Sequence, residues 1–267
     1  MGKFDGYLIC SDLDGTFWNG ENPANAEAVR YFTENGGRFS FMTGRQASFL
    51  RELPFFDCMN APAGLYNGSV AYDFTQKQVL FEERVPLTAQ TFLDVIGDWR
   101  KKTVRISSFD DISGELINLA APETLSRKEL QAHMLKIVPV FEDVETADAF
   151  IRYAQQQDVF QDCYISKSWS VGVEFNSRKG TKGHALDFIK RYLGNIHTAI
   201  GIGDYWNDIP LVQHADIGVA VGSAIEPLKQ AADWIVNPCQ ENAVEDLIRR
   251  LEQHILNQKH LERGTKT

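Results

Sequence analysis

Four carboxylates, one hydroxyl and one lysine carry the chemical interest of this 267-residue sequence. Asp12 and Asp14 end a short apolar run, YLICSDLDGT, with Leu13 between them. Taking charge out of water costs several kcal/mol, roughly, and like charges this close repel. Something positive, or a chemical task, must compensate. In a strand, positions i and i+2 point the same way, so both acids face the space above the strand's C-terminal end. Ligands bind at that edge of open parallel sheets. TAIGIGDYWND ends a later strand with Asp204 and, four residues on, Asp208. RFSFMTGR ends another with Thr43-Gly44-Arg45, a hydroxyl followed by backbone amides entering a helix, which suits an anion. Lys182, in RKGTKGHAL, opens a further helix; its neighbour Lys179 is the rival for its role. Clustered carboxylates with too few cationic partners imply a hard divalent cation, most simply Mg²⁺. The anion-binding parts imply a phosphate.

The elements that position these residues alternate. Strands are expected at YLIC, RFSFMTGR, TAIGIGD, IGVAVG and DWIVN. Helices are expected after Asn22 as cap, from QASFLRELPFF, and in KGHALDFIKRYLG, NDIPLVQHA and EPLKQAA. GLYNGSVAY reads as strand and turn, and a closing helix starts near Glu241, with KHLERGTKT a loose tail. This rhythm predicts an α/β fold, a Rossmann-like parallel sheet with helices on both faces. The middle differs. A helix in LTAQTFLDVIGDWRKK, strands TVRISSF and ELINLAA, helical stretches near 126–135 and 146–156, and a QDCYISKS/WSVGVEF hairpin make an α+β insert. It is placed at residues 83–177, with the core formed by 1–82 and 178–267.

The net charge of -9 argues against a nucleic-acid partner, and no apolar run approaches the ~20 residues of a membrane span. The N-terminal residues contain no signal-peptide core. The four cysteines form no CxxC pair, which favours reduced thiols in a cytoplasmic protein over a zinc site. An EF-hand starting at Asp12 is rejected, because its sixth and twelfth positions hold Phe17 and Pro23 instead of Gly and Glu. GIGDYW fails as a dinucleotide fingerprint, with Trp206 where the last glycine belongs.

The sequence resembles the haloacid dehalogenase-like phosphatases. The resemblance rests on DLDGT, MTGR, KG before a late helix and GDYWND, in that order, and YNGSV and GVAVGSA resemble the Cof-like branch. It implies a large α+β cap where the insert lies. Ser223 departs from the pattern, standing where that branch often has Asn. By this resemblance Asp12 is the nucleophile and Asp14 the general acid and base. The Asp12 carboxylate, the Asp14 carbonyl and Asp204 hold Mg²⁺, and Asp208 binds the metal or orients its waters. Thr43, the Gly44 amide and Lys182 neutralise the phosphoryl oxygens, and Asn207 contacts phosphate or orients a neighbour. Arg45 and Asn67 are open to two readings, substrate contact or local structure. Trp18 reads as packing, and Arg105, Lys167 and Trp169 are the insert's candidates to face substrate. The implied activity is Mg²⁺-dependent hydrolysis of a small phosphorylated metabolite, such as a sugar phosphate, through an aspartyl phosphate. A phosphotransferase or mutase, and a non-enzymatic phosphometabolite-binding regulator, are the alternatives.

Overall fold

The computed structural model describes residues 2–20 and 23–264. β1 (Tyr7–Ser11) is buried along nearly its whole length, as a strand covered on both faces must be. α1 (Pro23–Glu34) turns Asn25, Ala26, Val29 and Phe32 inward, a helical stripe. Asn22, expected as its cap, lies outside the described residues. β2 (Arg38–Phe41) and the short α2 (Ala47–Arg51) follow. β3 (Ala63–Leu65), β4 (Val70–Asp73) and β5 (Gln78–Glu82) form a three-stranded antiparallel sheet.

The middle of the chain contributes α3 (Ala89–Ile96), β6 (Thr103–Phe109), β7 (Ile117–Asn118), α4 (Arg127–Gln131) and β8 (Lys136–Phe141). It continues with α5 (Val144–Ala154), β9 (Cys163–Trp169) and β10 (Gly172–Ser177). The last third holds α6 (Lys182–Leu193), β11 (Thr198–Gly203), α7 (Ile209–His214), β12 (Ile217–Val221), α8 (Glu226–Ala231), β13 (Trp234–Val236) and α9 (Ala243–Gly264). The closing helix therefore carries through most of the stretch expected to be a loose tail. None of the helices among the described residues is long and apolar enough to cross a membrane.

The core sheet has the order β13-β12-β11-β1-β2 and is parallel throughout. A second, antiparallel sheet runs β7-β6-β8-β10-β9. It encloses its own apolar cluster, including Phe92, Phe141, Phe150 and Phe175. The parallel sheet packs one face on a cluster built around Phe17, Phe39 and Phe41. Two strands depart from expectation. β8 pairs with both β6 and β10 at the middle of its sheet, although Pro139 argues against a central strand. Its formation shortens the helix expected over 126–135 to α4. β5 was also not expected; its partly exposed residues complete the small sheet.

Asn25 ties the loop after β1 to the last helix. Its side-chain amide donates to the Phe17 carbonyl at 2.7 Å, and its Oδ1 accepts from the Val244 and Glu245 amides at 3.1 and 3.0 Å. The Asn25 side chain and its bonds to Phe17 and Val244 are buried, so Asn25→Ala should leave polar groups without partners and cost about 2–3 kcal/mol. Urea unfolding measures this, and an unchanged midpoint would remove Asn25 from the fold's supports.

Candidate active site

Asp12 follows β1 directly, and its amide still bonds to the Ile202 carbonyl of β11 at 2.9 Å. The first acid is therefore fixed by sheet pairing rather than by a free loop. The chain then turns tightly, with the Phe17 and Trp18 amides both donating to Leu13. Gly15 permits this turn: its φ is +87°, and a Cβ there would stand 2.8 Å from an Asp204 oxygen. Thr16, next to it, donates to Asp204 Oδ1 at 2.9 Å, a contact not foreseen from the sequence. Asp204 itself follows β11. Its amide and that of Tyr205 donate to Asp208 Oδ2 at 3.0 and 3.1 Å. Gly203 makes room, because a Cβ would lie 2.4 Å from the Asp208 side chain.

Lys182 joins the two groups. It opens α6, which Thr181 caps, and it is fully buried. Its ammonium donates to Asp12 Oδ1 at 2.6 Å and to Asp208 Oδ1 at 2.5 Å. Burial pulls its pKa down, but Asp12 and Asp208 outweigh burial and lift it above the ordinary lysine value. Lys179, the rival, is exposed. Burial drives the Asp12 carboxyl well above the usual range, against the pull of Lys182 and with help from Asp208 and Asp204. Burial, then Asp208, pushes Asp204 up to about 6.

Burial is the first cause of both carboxyl shifts, and the excess of negative charge over the single ammonium adds to it. The carboxylates of Asp12, Asp204 and Asp208 each offer an oxygen within 4.8 Å of the others. A hard dication fits such an oxygen set and the missing positive charge. Asp208 has both oxygens engaged, by Lys182 on one side and two amides on the other, so it braces Lys182 and the Asp204 loop. The Asp14 side chain is not part of this group. Arg45 holds both its oxygens, at 2.9 and 3.0 Å, and each partner is about half exposed.

Thr43 is buried and its Oγ1 accepts from the Arg45 amide at 3.1 Å. The helix expected right after Arg45 begins at Ala47 and has only five residues, so the Thr43-Gly44 loop has no substantial helix end behind it. Asn67 and Asn207 are both buried, and Asn207 donates to Asn67 Oδ1 at 3.2 Å. Asn67 in turn donates to Glu174.

Glu174 and Lys136 are the residues that sequence reasoning missed. Lys136 donates to Glu174 Oε1 at 2.9 Å and to the Gly44 carbonyl at 3.0 Å, and Ser168 also donates to Glu174. Glu174 lies between apolar Val173 and Phe175, where alternation suggests a solvent-facing position. The structure instead turns that face onto the loops of the parallel sheet.

A cavity of about 420 Å³ exposes Asp12, Asp14, Gly44 and Asp204 on one side, and Arg105, Lys136, Trp169 and Glu174 on the other. Lys167, a third candidate from the insert, is buried in an ion pair with Asp148, and lines a different hollow. Ser223 is exposed and outside the cavity lining. Trp18 packs edge-on against Phe55, as expected. A larger hollow of about 560 Å³, lined by Gly6, Arg38 and His197 among others, opens at the strands' N-terminal ends, away from the acids.

The sequence model of the haloacid dehalogenase-like hydrolases matches residues 9–248, which takes in every residue of this cluster. The chain belongs to the haloacid dehalogenase-like hydrolases. Among curated members of comparable length, it is 26% identical to a 5-amino-6-(5-phospho-D-ribitylamino)uracil phosphatase of Bacillus subtilis, over 91% of this chain and 94% of that protein. It is 20% identical to a pyridoxal phosphate phosphatase of Escherichia coli, over 93% and 98%. A haloacid dehalogenase-like hydrolase from B. subtilis shares the fold with a TM-score of 0.75 at 21% identity, covering 91% of this chain and 99% of that one. A sugar phosphatase of haloacid dehalogenase subclass IIB does so with a TM-score of 0.73 at 20% identity, covering 92% and 98%.

For this haloacid dehalogenase-like hydrolase, Lys182→Met should cost about 3–5 kcal/mol, because it strands two buried carboxylates. Denaturant unfolding near neutral pH reads the loss. A stability within 1 kcal/mol, roughly the worth of an exposed pair, would mean that Lys182 does not hold the acids together.

Proposed function

We propose that this chain is a phosphatase that hydrolyses the phosphate ester of a small metabolite, sugar phosphates among them, with Mg²⁺ as cofactor and Asp12 as nucleophile. The observation that carries the reading is the placement of Asp12. It ends a buried strand in a cavity, 2.6 Å from a buried lysine and grouped with two further acids. The named relatives also act on phosphate esters of small molecules.

In this reading the Asp12 carboxylate attacks phosphorus and the bond from phosphorus to the ester oxygen breaks. Asp14 gives that oxygen a proton. Asp14 then takes a proton from water as the water attacks phosphorus. The phosphorus bond to Asp12 breaks, releasing inorganic phosphate and restoring the carboxylate. Asp14 can leave Arg45 at little cost, since an exposed pair is worth about 0–1 kcal/mol. Lys182 fixes the attacking carboxylate, and Thr43 with the Gly44 amide faces the phosphoryl oxygens. Asp12, the Asp14 carbonyl and Asp204 would hold Mg²⁺, and Asp208 positions Lys182 and the Asp204 loop. The bound ion would supply positive charge against the clustered acids and the phosphate.

Residues 83–177 act as a cap that selects the leaving group, because Arg105 and Trp169 of that segment line the far wall of the cavity. All four cysteines are buried, in keeping with a protein of the reducing cytoplasm.

Two substitutions separate the roles of the paired acids. Asp12→Asn should abolish turnover and form no phosphoenzyme. Asp14→Asn should slow hydrolysis of an alkyl phosphate by about 10²–10⁴-fold. With an aryl phosphate, whose leaving group needs less protonation, Asp14→Asn should accumulate phosphate on Asp12. Acid-quenched intact-mass and peptide mapping would detect it. Wild-type turnover by Asp12→Asn would overturn the mechanism. Separately, excess chelator should abolish activity and added Mg²⁺ restore it; full activity in chelator would rule out the metal.

A further inference from the structure

We propose that Lys136 touches the substrate: it is a cation that the inserted segment delivers to the phosphate subsite, donating to an oxygen of the bound phosphoryl group. This rests on the phosphatase reading above and adds a residue to it.

Three observations converge on Lys136. First, it lies in the loop-facing end of β8, in the antiparallel sheet, yet its ammonium reaches the Gly44 carbonyl of the other sheet's loop at 3.0 Å. A Cβ on Gly44 would stand 3.3 Å from that ammonium, so the glycine's lack of a side chain keeps the lysine tip against the backbone. Second, an ammonium has three donors. Lys136 spends one on Gly44 and one on Glu174 Oε1, and it lines the same cavity as Asp12, Asp14 and Asp204. The third donor has the cavity before it. Third, the cations that the parallel-sheet core brings to the cavity are committed, and the inserted segment's other cation there, Arg105, is exposed. Lys182 is divided between Asp12 and Asp208, and Arg45 is held by Asp14 at the exposed rim.

Stability alone is a poor reason for the Lys136–Glu174 pair. Both residues are at least 95% buried, at 5% and 1% relative exposure. A buried ion pair is commonly no more stabilising than apolar residues of similar volume. Glu174 also accepts from Ser168 and Asn67, so the carboxylate is solvated by three donors and does not monopolise the lysine. The pair therefore acts as a mount. Glu174 aims Lys136 at the Thr43-Gly44 loop and, through Asn67 and Asn207, registers the inserted sheet against the loop after β11. The phosphate subsite is complete only when the two sheets are seated together, which ties hydrolysis to closure.

Lys136→Met paired with Glu174→Gln tests this without leaving a buried carboxylate alone, and Gln can still accept from Asn67. Titration calorimetry with inorganic phosphate, in the presence of Mg²⁺, should show affinity weakened about ten- to a hundredfold, the worth of one charge-assisted hydrogen bond. Wild-type phosphate affinity in the folded double variant would overturn the proposal. A crystal structure of the wild-type protein grown with Mg²⁺ and inorganic phosphate decides the matter even if the variant does not fold. Lys136 Nζ should lie about 3 Å from a phosphate oxygen. Phosphate held beside Asp12 with Lys136 still bonded only to Gly44 and Glu174 would overturn the assignment and leave the phosphatase reading standing. A wild-type protein that neither binds phosphate nor hydrolyses any phosphate ester overturns both.

Discussion

The structure depends on one buried ammonium shared by two carboxylates. Lys182 has no solvent exposure, and its bonds to Asp12 and Asp208 are what allow three acids to sit together inside the protein. Without it the cluster is charge crowded into low dielectric, a state proteins avoid by shifting pKa values or by rearranging. With it the cluster still carries more negative than positive charge, and burial, with that imbalance added, raises Asp12 and Asp204. A hard dication fits that imbalance.

The fold serves this arrangement through strand ends. Asp12, Thr43 and Asp204 follow β1, β2 and β11, which are neighbours in the parallel sheet, so residues far apart in sequence meet at one edge. Glycines permit the loops to pass close over one another, Gly15 across Asp204 and Gly203 beside Asp208. Asn25 then fastens the loop after β1 to the last helix. Each support acts on backbone at or next to the clustered acids, and the sheet's rigidity passes into their geometry.

The second sheet contributes a wall and a polar network. Its residues Lys136, Ser168 and Glu174 meet Gly44 and Asn67, and Asn67 meets Asn207. This chain of hydrogen bonds runs from the inserted segment to two of the loops around the acids. In a low-dielectric site such a network is costly unless nearly every member is satisfied, which makes it sensitive to how the two sheets sit together. Asn67, in a left-handed backbone conformation with φ at 62°, donates its side-chain amide to Glu174.

The sequence by itself determined the parallel core, the order of its elements and the chemical cluster. Short apolar runs, glycine-rich strand ends and the spacing of Asp12, Asp204, Asp208 and Lys182 are local signals, and the C-terminal edge of a parallel sheet gathers them by topology. It also placed Thr43 and Gly44 at that edge. What tertiary structure decided lies in side-chain partners. Whether Asp14 joins the acids or turns to Arg45, whether Asn67 meets substrate or Glu174, and whether Asp208 offers a free oxygen all depend on three-dimensional neighbours. β8 shows the same limit for the fold, because Pro139 argues against a central strand, and only the observed register, which pairs it with Ile106 of β6 and with no residue of β10, accommodates it. Glu174 and Lys136 were invisible for a related reason. Alternation along a strand separates two faces but does not say which face meets another sheet, and only the docking of the two sheets turned that polar pair inward.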